Sequence, residues 1–175
     1  MGKDFKIESD FMYNGYRCVV LGLSLGHRCG YVMIENPTNE MKNDAYSLNF
    51  DVHGGITYGA YSDRYPMENK NEQFWLGFDC AHYGDGKDLE LVEELNDLKT
   101  YMQILEVDKM FPSDLEVKTT NYVERELKLL VNQLTDVFIS NSFITCESCG
   151  TQHRVSDKKT KCNNCGSNLN YVSVI

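Results

Sequence analysis

Two groups of side chains in this chain of 175 residues have types and spacings that could do chemistry. The first is Cys146-Glu-Ser-Cys149-Gly150 and its repeat Cys162-Asn-Asn-Cys165-Gly166, with twelve residues between Cys149 and Cys162. A two-residue spacer lets both thiolates of a pair reach one tetrahedral ion, and the following glycine lets the backbone turn beneath the metal. Two such knuckles predict a zinc ribbon with one structural zinc per chain, held by Cys146, Cys149, Cys162 and Cys165. Four thiolates leave no open position for a substrate, and His153 is then not a ligand. Disulfide pairing is the weaker alternative, because the remaining cysteines, Cys18, Cys29 and Cys80, are scattered.

The second group is looser. Residues 73–86 read QFWLGFDCAHYGDG, an apolar run around the only tryptophan that ends in Asp79, Cys80, His82 and Asp85, with glycines that favour a tight loop. Residues 48–59, LNFDVHGGITYG, repeat that layout as an alternating strand, then Asp51, His53 and the Gly54-Gly55 break. Asp51 and His53 lie two apart, so on a strand they share a face. A carboxylate and an imidazole so placed can orient water, bind a metal or simply hydrogen-bond each other. The two turns are expected to face each other, which makes Asp51, His53, Asp79, His82 and Asp85 the candidates for catalysis. A Cys80 nucleophile paired with His53 or His82 is weaker, since a cysteine ending an apolar strand is commonly a small buried hydrophobe.

Other residues could hold a ligand beside these turns. His27 and Arg28 sit in a bend, and Gly54 and Gly55 permit close approach. Tyr58 and Tyr61 could stack on a planar group, and Arg64 among them could pair with an anion. The bland alternatives are a solvated turn, surface tyrosines and a satisfied hydrogen-bond network.

These groups need elements to position them. Residues 17–25 and 31–34 read as a hairpin, preceded by an extended lead-in or edge strand and followed by a surface loop over 35–46. Residues 46–53 and 74–78 read as strands, the second buried with Trp75 inside it. Residues 88–108 carry Leu91, Leu95, Leu98, Met102 and Leu105 at helical spacing, a stripe expected in the core. A second helix is marked by Asn121 with Glu124 three residues on, and Val123, Leu127, Leu130, Leu134 and Val137 form its apolar face. The predicted class is α+β: a strand-rich N-terminal half with two packed helices over residues 1–142, followed by a C-terminal zinc ribbon over 143–175.

Charge narrows the partners. The net charge is −9, but residues 143–175 hold four Lys/Arg against two Asp/Glu, so the preceding body carries the acidity. An acidic body excludes an extended nucleic-acid groove, while a small anionic or nucleotide-like ligand in one pocket and a homo-oligomer both stay open. The N-terminus does not read as a signal peptide, and no run suits a membrane span, so a cytoplasmic protein is expected.

Residues 26–32 (GHRCGYV), 53–58 (HGGITY), 75–85 (WLGFDCAHYGD) and Tyr122-Val123 with its helix resemble a family of small proteins found in tailed-phage and bacterial genomes. The resemblance covers roughly residues 18–134, and the ribbon looks like an addition to it. It implies a phage or prophage source, hence a host cytoplasm, and it points at His27, His53, Asp79, His82 and Asp85 without naming a reaction. The expected function is a phage-type binding protein for a nucleotide-like ligand, acting to withhold a host immune signal. A metal-assisted hydrolase using the Asp/His cluster is the alternative, and a zinc-ribbon adaptor without a pocket is the third.

Overall fold

The computed structural model describes residues 3–62, 65–67, 73–110 and 115–170. The chain divides into two compact units, Met1–Val131 and Asn132–Ile175.

The first unit is built on β1 (Phe5–Tyr13), β2 (Tyr16–Leu23), β3 (Arg28–Ile34), β4 (Tyr58–Tyr61) and β5 (Phe74–Asp79). They form one sheet in the order β1-β2-β3-β5-β4, antiparallel throughout. Asn14 and Gly15 join β1 to β2 with φ of 46° and 82°, the left-handed pair a two-residue hairpin turn demands. The lead-in is therefore the edge strand. The next turn is tighter than expected: β2 stops at Leu23, and Arg28 and Cys29 already belong to β3, so only His27 remains in the bend.

β5 lies between β3 and β4, which is why its apolar run is unbroken; Phe74 to Phe78 are all buried and Trp75 is wholly so. Strand alternation gathers Val19, Leu21, Cys29, Tyr31 and Trp75 on one face. Helices cover the other: a Cβ added at Gly22 would come within 2.9 Å of Leu91, and one at Gly30 within 2.9 Å of Val123.

Residues 46–53 do not form the expected strand. Ala45–Ser47 is a single 3-10 turn, after which the Phe50 amide donates to the Leu48 carbonyl and the Val52 amide to the Phe50 carbonyl, both at 3.1 Å. Alternation survives without a ladder, with Phe50 and Val52 buried and Asp51 exposed. The periodicity reported burial of every second side chain, whereas a strand also needs a ladder partner, and these residues bond within their own segment instead.

The helix expected over 88–108 is two, α2 (Leu89–Leu95) and α3 (Leu98–Met110), after a short α1 (Asn39–Asn43) in the surface loop. Asn96 ends α2 by donating from Nδ2 to the carbonyls of Val92 (2.8 Å) and Ser24 (2.7 Å). Asp97 starts α3 by accepting from the Thr100 amide at 2.9 Å. The stripe is split accordingly. Leu91 and Leu95 are core, but α3 buries no residue, and Leu98 and Met102 lie exposed.

The last helix, α4 (Thr120–Asn141), contains the division between the two units. Its first turn is capped by Thr119, whose Oγ1 accepts from the Tyr122 amide at 3.3 Å, not by an Asn121 box. Glu124 instead accepts from Ser9 at 2.6 Å. Val123, Leu127, Leu130 and Leu134 are fully buried, while Val137 is exposed. Asp85-Gly86, expected as loop, is the strand β6, paired parallel with β7 (Glu116–Val117). In the second unit β8 (Phe143–Thr145) and β9 (Gln152–Arg154) form a hairpin. Among the described residues no helix is long and apolar enough to cross a membrane.

Candidate functional site

β5 ends at Asp79, paired with Cys29 of β3, and the chain then folds on two carboxylates. Asp79 Oδ1 accepts from the Ala81 amide at 3.1 Å, and Asp85 Oδ2 accepts from the His82 amide at 2.9 Å. The Asp85 amide returns a bond to the His82 carbonyl at 3.0 Å, so residues 82–85 close a turn that holds the imidazole beside the carboxylate. The turn at 52–55 meets this loop. Gly54 has φ of 67°, and a Cβ there would stand 2.1 Å from the His82 ring, so only glycine lets the turn carry His53 so close.

His53 is gripped on three sides. Its Nε2 lies 2.8 Å from Asp85 Oδ2, its Nδ1 lies 3.0 Å from the Tyr122 hydroxyl, and its backbone amide donates to Glu126 at 2.8 Å. The His82 ring stands edge-on to it, with centroids 5.3 Å apart. Burial alone would push the Asp85 carboxyl up, but the bond to His53, the His82 amide and the charge of both imidazoles hold it below the usual carboxylate range. Asp85 is therefore ionised at neutral pH.

His82 and Asp85 open onto a hollow of about 520 Å³ walled by Leu25, His27, Lys87 and the inner side of α3, including Ile104 and Val107. A smaller neighbour of about 290 Å³ is lined by His27, Tyr58 and Asp79. His27 faces both. Burial lowers its pKa from the ordinary 6.5, against the pull of Asp79 and Asp85, so the imidazole is neutral at pH 7. A histidine whose folded pKa is depressed contributes stability that is complete above about 6.5 and is lost as pH falls through the lowered value. Urea midpoints should consequently drop on going from about pH 7 to 5.5, and His27→Gln should flatten that limb; an unchanged pH profile in the variant would assign the acid limb elsewhere.

The remaining candidates are distributed differently. Asp51 is exposed and stands outside the cluster of His53, His82 and Asp85. Arg28 is buried and engaged by Glu8, Asp88, Thr120 and the Lys118 carbonyl. Tyr58 packs edge-on against Tyr31 and Tyr61 against Phe74, both at 5.2 Å. Gly55 has open space around it. Arg64 lies outside the described residues. Cys80 is buried, and burial pushes its thiol up to about 12, which keeps it protonated and disfavours a nucleophilic role. Tyr122 and Glu126 join the site although they belong to α4. They are four residues apart and flank the stripe of Val123 and Leu127, a pattern that places both on one helix face beside the core.

In the second unit Cys146, Cys149, Cys162 and Cys165 converge as a set able to hold a metal ion. The Cys146–Cys165 and Cys149–Cys162 sulfurs are each 3.6 Å apart. Gly150 and Gly166, with φ of 73° and 76°, return their amides to the Cys146 and Cys162 carbonyls at 2.8 and 2.9 Å, so the two knuckles are copies of one turn. His153 is buried with Nε2 at 3.2 Å from the Cys162 sulfur, placed to donate to it from outside the four-sulfur set. No protein-family model, curated protein or solved structure matches the chain.

Proposed function

We propose that residues 1–131 bind a small, nucleotide-like ligand in the hollow beside His82, and that the four cysteines of the second unit hold one structural zinc. The hollow carries the first part. At about 520 Å³ it is the size of a small-molecule site. Its apolar side, Leu25, Ile104 and Val107, suits a ring, and its polar side, His27, His82 and Lys87, suits an anionic head. A nucleotide combines the two. The engaged side chains of Arg28, Tyr58 and Tyr61 are not needed for this. For the second part, four soft thiolates within 4.8 Å of one another favour zinc among the common divalent ions and would leave it no open position.

Retention and hydrolysis of the ligand separate in one experiment. The full chain is incubated with a panel of cyclic and linear nucleotides, and the bound and free fractions are chromatographed. Intact nucleotide recovered only after denaturation supports a withholding role, and altered nucleotide in the free fraction supports a hydrolase. Neither across the panel removes the nucleotide proposal. His82→Ala should weaken retention by roughly 10- to 100-fold, the worth of one charge-assisted hydrogen bond.

A further inference from the structure

The His53, His82 and Asp85 cluster turns two imidazole nitrogens towards one carboxylate oxygen. His82 Nδ1 is buried and has no hydrogen-bond partner among the described residues, although it points at Asp85 Oδ2 from 3.6 Å. A buried polar atom left unsatisfied costs about 1–3 kcal/mol, so its persistence needs a reason. His53 has none to spare: Tyr122 holds its Nδ1, and its Nε2 faces the same Asp85 oxygen. Each of the three residues offers one ligand atom, and all lie within 4.8 Å of one another.

We infer that His53, His82 and Asp85 bind a divalent transition-metal ion. The separations of 2.8 Å from His53 Nε2 and 3.6 Å from His82 Nδ1 to Asp85 Oδ2 bracket the edge of about 3.3 Å expected between ligands 2.0–2.1 Å from a tetrahedral ion. Two imidazoles and one carboxylate suit zinc, manganese or iron and are too nitrogen-rich for calcium or magnesium. Tyr122 fixes the outer nitrogen of His53, the arrangement that orients a ligating histidine. Gly54 gives His82 its place, and Asp79 Oδ1 stands 4.0 Å from the same His82 Nδ1.

His82 and Asp85 also line the hollow, so an ion held by them would lie at its wall. The ion would add positive charge for an anionic ligand there, since the lining Lys87 is paired with Asp108 at 3.4 Å and Arg28 is committed to Glu8 and Asp88. This role rests on the hollow being the ligand site; the metal binding itself does not.

Metal analysis of the full chain, dialysed after saturation with zinc or with manganese, tests it. Two equivalents are expected, one withstanding chelators that remove the other. His82→Asn should leave one equivalent, and once chelator has removed the second ion from both proteins its thermal unfolding should match that of the wild-type chain, because its side chain is more than a third exposed. Tyr122→Phe should retain the second site with roughly 10- to 100-fold weaker affinity, as loss of an outer partner does. A single equivalent in the wild-type chain with both metals overturns the inference, as does a second equivalent that survives His82→Asn. Inorganic phosphate, titrated into metal-loaded and stripped protein, reads the ligand role separately. Phosphate binding only to the loaded wild-type chain supports it, and two equivalents of metal without phosphate binding overturn that role while the metal site stands.

Discussion

Stripping metal from the full chain with a strong chelator should unfold the ribbon and leave the five-stranded sheet folded. The core around the four cysteines is small: among the described residues Cys146, Cys162 and Leu169 are buried and Ile144 packs beside them. So little apolar burial cannot by itself order residues 143–170, whereas binding of a structural zinc by such a module is worth on the order of 10–16 kcal/mol. Hydrogen exchange should therefore show loss of protection at the Gly150, Cys162 and Gly166 amides, which bond within the knuckles, while the amides of β2, β3 and β5 stay protected. Cys162→Ser should reproduce the chelated state. Ribbon amides that stay protected in metal-free, reduced protein would show that the fold of the second unit does not depend on metal.

Arg28→Ala should destabilise the first unit by about 3–5 kcal/mol, the cost of breaking a buried ion pair. The guanidinium is under a tenth exposed and reaches Glu8 Oε2 at 2.5 Å, Asp88 Oδ2 at 2.8 Å and the Lys118 carbonyl at 3.3 Å. It thereby ties β1, the start of α2 and the approach to α4 to the first residue of β3. Its removal leaves Asp88 and Glu8, the latter still bonded to the Thr120 hydroxyl, without their shared counter-charge in a largely buried site. Arg28→Lys should recover only part of the loss, because an ammonium cannot serve the fork of acceptors. Denaturant unfolding measures both variants. A loss below about 1 kcal/mol for the alanine variant would mean that water enters and solvates the two carboxylates.

Several features of this chain can be read without coordinates because they rest on covalent spacing and local periodicity. The two CxxCG knuckles specify their own turns, since the spacer and the glycine determine where both sulfurs can go. The run around Trp75 reads as a buried strand because five consecutive apolar residues have no other economical place, and Trp75 is wholly buried. The helix stripe of Val123, Leu127 and Leu130 is core for the same periodic reason.

Where partners come from distant segments, periodicity is silent. Residues 46–53 alternate as a strand would, yet the segment forms a 3-10 turn and bonds to itself in place of joining the sheet. Residues 88–108 have the spacing of one helix, yet Asn96 and Asp97 close one and open another through side-chain bonds, one of them to Ser24 seventy-two residues away. Arg28 looks like a ligand residue in a polar bend until Glu8, Asp88 and Thr120 converge on it. The nearness of His53 to Asp85 follows from two turns meeting at Gly54, and the grip of Tyr122 and Glu126 on His53 comes from a helix some seventy residues further on. Residue types and local spacing thus determined which side chains could bind metal or move a proton. Which of them meet was decided by the antiparallel order of the sheet and the packing of α4, because a contact between remote segments is a property of the whole chain's burial and not of any stretch within it.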